Sequence, residues 1–298
     1  MKKSFIFPLI FTAIFLSNVC SEAFCYLLKA IDNLSSEIEF FQPPQRIVSL
    51  GPSLTEELYL LGVKDKIIGV TVYCQKPPEA KFKEKVGTVI KVDLEKIVSL
   101  KPDLVLVTSL INPIQVEKLK NLRIRVVNFP PSKNFSQICE QFLELGKIVD
   151  RKKKAEEIVD QAENRVESMR KDIKNLPETK VFIQVGARPL FTAIKDSYVH
   201  NLIEFAGGVN IASEAKSGLY SREKVLSQNP DVIIIVTMGI VGEEEKKTWQ
   251  KFKTLNAVKN NRIFIVDSYK ICSPTPVNFA EALQEIINIL HPSKRKNE

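Results

Sequence analysis

This chain of 298 residues is poor in the residues that usually announce chemistry. It has one tryptophan and two histidines, His200 and His291, and neither histidine sits in a motif. The spacing of its five cysteines contains no Cys-x-x-Cys, and there is no His-Glu-x-x-His. Ready-made metal sites are therefore missing. Glycine is thin at 11 residues, with no Gly-x-Gly-x-x-Gly, no Walker lysine loop and no Gly-x-Ser-x-Gly. That argues against nucleotide-dependent and serine-hydrolase chemistry. The formal charge is +8, but basic residues are spread along helices and a Lys294-Arg295-Lys296 tail. No basic patch interleaves with aromatics, so nucleic acid is not an expected partner. Beyond the first residues, no apolar run is long enough to span a bilayer.

What the chain does have is a long amphipathic middle, from about Asn134 to Leu176. Apolar residues recur at Ile138, Phe142, Leu145 and Val149, then at Ile158, Ala162, Val166, Met169, Ile173 and Leu176. Steps of three and four mark one helix face. Gly146 and a turn near Asp150 are expected to split the stretch into a shorter helix and a longer one over about 151–175, ended by Pro177. A rod of that length can join two compact lobes.

The flanks repeat one unit. Glu95-Lys-Ile-Val-Ser-Leu-Lys-Pro-Asp103 leads into Leu104–Val107, and Glu223-Lys-Val-Leu-Ser-Gln-Asn-Pro-Asp231 leads into Val232–Ile235. Each predicts a short helix, a Pro-Asp turn and a buried strand. Asp93 and Ser221 read as the helix caps. Strands are predicted at 47–50, 67–71, 104–108, 125–128, 181–185, 232–236 and 263–266, and helices after 53, at 197–206 and at 278–290. Ser53 and Glu56 have the spacing of a capping box. A strand running into a helix N-terminus places free N–H groups where α/β folds bind ligands. Residues 267–274 are expected to form the last loop.

Met1-Lys-Lys-Ser followed by Phe5–Leu16 has the shape of a secretory signal. Ser21-Glu-Ala23 places a cut after Ala23. Cys20 or Cys25 as a lipid anchor, and an uncleaved anchor, are the alternatives. Each puts the folded body outside the cytoplasm. Cys25, Cys74, Cys139 and Cys272 then allow three pairings, among which spacing does not choose. The expected division is a signal peptide (1–23), a tether (24–45), an N-terminal lobe (46–133), connecting helices (134–177) and a C-terminal lobe (178–298).

In this order, several motifs resemble one family. They are Arg46-Ile-Val-Ser-Leu-Gly-Pro-Ser-Leu-Thr-Glu56, Gly69-Val-Thr-Val-Tyr73 with Pro77-Pro78, Val86-Gly87-Thr88, Asp93-Leu-Glu95 and Lys101-Pro-Asp103. Gly207-Gly-Val-Asn210, Ser221-Arg-Glu223, Pro230-Asp231 and Ser273-Pro274 complete the series. The chain resembles the substrate-binding proteins of ABC importers for vitamin B12, iron-siderophores and haem. The resemblance covers Arg46 to about Leu290. It implies an α/β fold of two Rossmann-like lobes with parallel-type sheets, joined by one long interdomain helix. It implies a monomer that carries a cobalamin or other corrinoid, a haem or an iron-siderophore as cargo, with no covalent cofactor. It further implies a membrane permease as partner, docked through Glu95 and Glu223, and association with the membrane through that permease or a lipid anchor.

The lining residues expected in the cleft are Tyr73, Thr88, Thr108, Arg188, Phe191, Tyr220, Tyr269 and Cys272. Where B12-binding relatives carry cleft tryptophans, this chain has Val89 and Thr108. Cys74-Gln75 stands where an acidic residue often follows the tyrosine. Cys74 and Cys272 are expected as pocket-lining thiols, against a bridge between lobes or a soft metal ligand. The other function classes are an extracytoplasmic α/β enzyme, which would need a catalytic constellation, and a sensor or scaffold that kept the fold.

Overall fold

The structure is a computed structural model that describes residues 28–31, 37–40, 42–236 and 242–292. Two parallel-type sheets are built from the two halves of the chain, and a pair of helices runs between them. The expected signal segment lies outside the described residues. Within 24–45, β1 (Leu28–Ile31) pairs antiparallel with β2 (Glu37–Phe40), a hairpin where no periodicity signalled one.

The first half contains β3 (Ile47–Ser49), α1 (Pro52–Leu60), β4 (Ile67–Val70), α2 (Leu94–Ser99), β5 (Leu104–Thr108), α3 (Pro113–Asn121) and β6 (Val126–Phe129). The four strands lie in the order β4-β3-β5-β6, all parallel. Their β-branched, almost wholly buried sequences suit a sheet covered on both faces.

Next come α4 (Phe135–Ile148) and α5 (Lys152–Ile173). Asn134 caps α4 by accepting from the Gln137 N–H at 2.9 Å. The break falls at 149–151, where Asp150 takes φ +58°. Gly146 does not break the helix. It lies inside α4, where a Cβ would come within 2.4 Å of the Ala155 Cβ, so glycine is what lets α5 cross there. At 22 residues, α5 rises about 33 Å. Its Ala155, Ile158, Ala162, Val166, Met169 and Ile173 face is buried and packs against α4 and the last helix.

The second half holds β7 (Thr179–Ala187), β8 (Leu190–Thr192), α6 (Tyr198–Phe205), β9 (Gly208–Asn210), α7 (Arg222–Gln228) and β10 (Val232–Val236). After these come α8 (Gly242–Gln250), α9 (Asn256–Lys259), β11 (Ile263–Val266), α10 (Ser268–Cys272) and α11 (Pro276–Leu290). β11, β10, β7 and β9 are parallel, whereas β8 folds back antiparallel on β7. The stretch 267–274, expected as a loop, contains α10. Asp267 caps it by accepting from the Tyr269 N–H, and five residues are too few to show a period.

The repeated unit has the same structure in both halves. Asp93 and Ser221 cap α2 and α7 through the N–H groups of Lys96 and Lys224. Ser99 and Ser227 donate to the carbonyls three residues back. Lys101 and Asn229 take left-handed φ of +50° and +47° before the proline. Asp103 and Asp231 then accept from the backbone N–H of Arg46 and Lys180, at the starts of the neighbouring strands.

One apolar core runs through the molecule. It joins the inner faces of both sheets with α1, α4, α5, α6 and α11, while each sheet's outer face has a smaller core of its own.

Candidate ligand cavity

Strand ends of the first sheet open onto a cavity of about 260 Å³. Its first-lobe wall is Pro52–Leu54 after β3, Val89, Thr108–Leu110 after β5 and Phe129–Ser132 after β6. Ile138 and Gln141 of α4 form the floor, and the second lobe closes it with Tyr198, Cys272, Ser273 and Pro274. The carboxyl ends of parallel strands are where open α/β sheets hold ligands.

α1 begins two residues earlier than a Ser53 cap requires. Proline at the first helical position loses no bond by lacking an N–H, so Pro52 starts the helix and Gly51 becomes its cap, without a side-chain cap bond. Ser53 and Glu56 therefore form no capping box. A Cβ on Gly51 would meet the Thr108 methyl at 2.9 Å, so the bare backbone is what lets β5 end against α1.

The lobes are tied beside the cavity. Asn278 donates to Glu56 at 2.9 Å and to the Ser273 carbonyl at 3.0 Å. The Lys76 N–H donates to the Tyr269 hydroxyl at 3.2 Å, with the Lys76 ammonium over the Tyr269 ring. Phe135 stacks on Phe279, ring centroids 4.6 Å apart.

The expected lining residues divide. Thr108 and Cys272 line the cavity. Tyr73 is 54% exposed, Phe191 is half-exposed on β8, and Arg188 is exposed in the turn before it. Thr88 closes its own turn, accepting from the Lys91 N–H at 2.9 Å. The Tyr220 hydroxyl donates to the Ile211 carbonyl while its ring packs on Phe182, within the second lobe. Tyr269 spends its hydroxyl on the other lobe, and burial pushes it up from the ordinary tyrosine range. Glu95 and Glu223 are exposed in the first turns of α2 and α7. The Glu223 backbone N–H and the Ser221 hydroxyl hold its carboxyl below the usual range.

The cysteine expectation fails for Cys74. It is wholly buried, next to the hydroxyls of Thr55 (3.1 Å) and Thr71 (3.2 Å), because the loop after β4 turns it into the core. Cys74, Cys139 and Cys272 are all free, so no bridge joins Cys74 to Cys272. Burial and the Asp267 charge push the Cys272 thiol up to about 11. Both histidines are structural: His200 meets Asn210 at 3.3 Å, and His291 meets the Ala206 carbonyl at 2.9 Å.

One cavity residue was missed. Glu57 is 5% exposed and lines the cavity. Burial and then the neighbouring Glu56 charge push it well above the carboxylate range, and no hydrogen bond from another described residue offsets them. Its position was readable. Leu54, Leu58 and Leu61 form the buried stripe of α1, and residue 57 falls on that stripe at spacings of three and four.

A family model described as "Periplasmic binding protein" matches residues 47–270. The chain belongs to the periplasmic binding protein family. It is 30% identical over 277 residues to the ABC transporter substrate-binding lipoprotein YvrC of Bacillus subtilis, covering 89% of this chain and 86% of that protein. It is 26% identical to a vitamin B12-binding protein of Vibrio cholerae, over 85% and 92% of the two chains. The crystal structure of the periplasmic vitamin B12 binding protein BtuF of Vibrio cholerae superposes with a TM-score of 0.74 at 25% identity, over 85% of this chain and 99% of that one. A periplasmic haem-binding protein, BhuT, shares the fold, with a TM-score of 0.74 at 18% identity over 83% and 98%. The two Rossmann-like lobes of this family are therefore those of the present chain. It is a family of binding proteins. Among the described residues, no helix is long and apolar enough to cross a membrane.

Proposed function

We propose that this protein captures a metal chelate outside the cytoplasm and delivers it to the permease of an ABC importer. The observation that carries this is the cavity at the carboxyl ends of β3, β5 and β6, closed by 272–274 of the other lobe. The cargo is a corrinoid, a haem or an iron-siderophore, as it is for relatives. Among the described residues no group of three or more His, Cys, Asp or Glu could hold a metal ion, so the metal enters inside its own chelator.

The cavity, at about 260 Å³, falls just under the range of about 300–1,000 Å³ typical of small-molecule sites. A chelate as broad as a tetrapyrrole therefore puts one edge into it and lies across its mouth. Thr108 and Cys272 contact the inserted edge, and the exposed Tyr73, Arg188 and Phe191 are available to the rest. Thr88, Tyr220 and Tyr269 act from behind this surface.

Docking rests on the repeated unit, which presents one exposed acid per lobe, Glu95 and Glu223, at the same point of the same motif. The protein works as a monomer, in lobes 46–133 and 178–298 joined by 134–177, after export by its N-terminal segment. Native mass spectrometry and absorbance of protein purified without refolding test the cargo, which should appear as a corrinoid, haem or ferric chelate. Reversing charge at both Glu95 and Glu223 should abolish uptake and leave affinity intact. Wild-type transport by that double variant would refute the docking.

A further inference from the structure

The cavity has a polar pole with a definite charge character. Among its lining residues there is no lysine, arginine or histidine, and Glu57 is the only carboxyl. Three of the other polar side chains there are already engaged. Tyr198 donates to the Ile271 carbonyl at 2.5 Å, Ser132 to Gln141 at 3.0 Å, and Gln141 to the Pro130 carbonyl at 2.9 Å. The Thr108 hydroxyl is buried and has no partner among the described residues. The Glu57 carboxyl likewise receives no hydrogen bond from them. Buried polar groups left without partners are costly to a fold. Thr108 is one such group on this small cavity, and Glu57 lies on the same wall.

We propose that Glu57 and Thr108 are the specificity-determining groups of this cavity, and that they select an uncharged hydrogen-bonding group, a carboxamide or a hydroxyl, over a carboxylate. This rests on the ligand-binding reading above and narrows its ligand class to chelates with a neutral polar rim. The charges around Glu57 agree. Glu56 on the same helix is negative, Glu281 of α11 adds to that field, and Lys76 is drawn to Glu56. Cys139 of α4 is a thiol pushed up to about 12, and Cys272 of α10 and Tyr198 of α6 are likewise neutral near pH 7. Among the lining residues no side-chain cation offsets an incoming negative charge, and the start of α1 at Pro52–Leu54 offers backbone N–H groups only. The carboxylic acid form of Glu57 is favoured there and donates to a carbonyl oxygen, while Thr108 can donate or accept.

Two fragments of one apolar body, cyclohexanecarboxamide and cyclohexanecarboxylate, test this by ligand-observed NMR across a pH series. Wild type should bind the carboxamide at least about tenfold better than the carboxylate. Glu57→Gln should keep that preference. Glu57→Leu should lose carboxamide binding by about tenfold, the scale of one buried hydrogen bond, and Thr108→Val by less. Carboxamide binding should weaken in wild type as pH rises through the folded Glu57 pKa and stay level over the same range in Glu57→Gln. Equal binding of the two fragments, no binding of either, or unchanged carboxamide binding by Glu57→Leu would overturn the proposal. A folded Glu57→Leu protein is checked by circular dichroism, and Glu57→Gln supplies an independent arm through its pH profile. Titration with cyanocobalamin, with haem and with a ferric hydroxamate separates the two levels. Fragment selectivity without chelate binding would sink the cargo reading and leave the cavity assignment standing.

Discussion

Among the described residues two glutamates are buried, one in each lobe, and they are opposites. Glu245 of α8 accepts from Arg222 at 2.6 Å and from Gln184 at 2.9 Å, and Gln184 in turn accepts from the Trp249 indole at 2.7 Å. Burial works to raise its pKa, but the bonds from Arg222 and Gln184 outweigh that and hold it below the ordinary range. Glu57 has burial and a like charge and nothing to balance them, so it goes up. The first is an ion satisfied inside the fold. The second is an unsatisfied group on a cavity wall. Burial alone therefore does not distinguish structural from functional carboxyls; the partners do.

The same contrast separates the two sheets. The second lobe fills the space beside β7 with the Trp249–Gln184–Glu245–Arg222 network, with the Arg222 guanidinium 4.5 Å over the indole. Its one tryptophan is spent there as internal packing. The first lobe has Thr108 at the end of β5 and Val89 in the loop before α2, and leaves the space open.

Substitutions sharpen this comparison in decreasing order. Trp249→Ala should cost about 3–5 kcal/mol in urea unfolding, as for a fully buried aromatic. Glu245→Ala should cost about 3 kcal/mol, because Arg222 keeps its charge and loses its counterion. Glu57→Leu should have the opposite sign, stabilising by about 1–2 kcal/mol at pH 7, because an unpaired polar group leaves the interior. A loss on Glu57→Leu as large as that of Glu245→Ala would erase the distinction.

The pH dependences should differ in sign as well. Glu245 has a lowered folded pKa, so its contribution is complete above the unfolded value of about 4.3 and is lost as pH falls through the folded one. Glu57 has a raised folded pKa, so stability is intact below about 4.3 and declines as pH rises through the folded value. Stability of Glu245→Gln should therefore depend less on acid than that of wild type, and Glu57→Gln less on alkali. The smallest effect is chemical. Cys272 should alkylate in the native protein, faster as pH approaches 11, and Cys74 should not.

Much of the fold was legible because the buried strands are unbroken β-branched runs. β5, β10 and β11 lie where the sequence put them. The duplicated Asp, Ser and Pro-Asp positions also mark the two copies of one unit. The antiparallel β8 was not legible, since it is three residues behind Arg188-Pro189, too short to show alternation. The start of α1 was misplaced because Pro52 outranks Ser53 as a helix-initiating residue. Of the site, Thr108, Val89 and Cys272 came from motif position. Glu57 did not, since Glu56-Glu57 reads as a pair of surface acids until the leucine stripe beside it is weighed. Cys74 was misplaced because the direction of a loop side chain depends on packing that no local pattern encodes.

The direct measurement is a carbon-13 NMR titration of glutamate side-chain carboxyls, with Glu57→Gln and Glu245→Gln identifying the two signals. The account predicts that Glu57 titrates well above the ordinary glutamate value of about 4.3 and that Glu245 titrates below it. Glu57 ionising at the ordinary value, or Glu245 titrating above it, would contradict it.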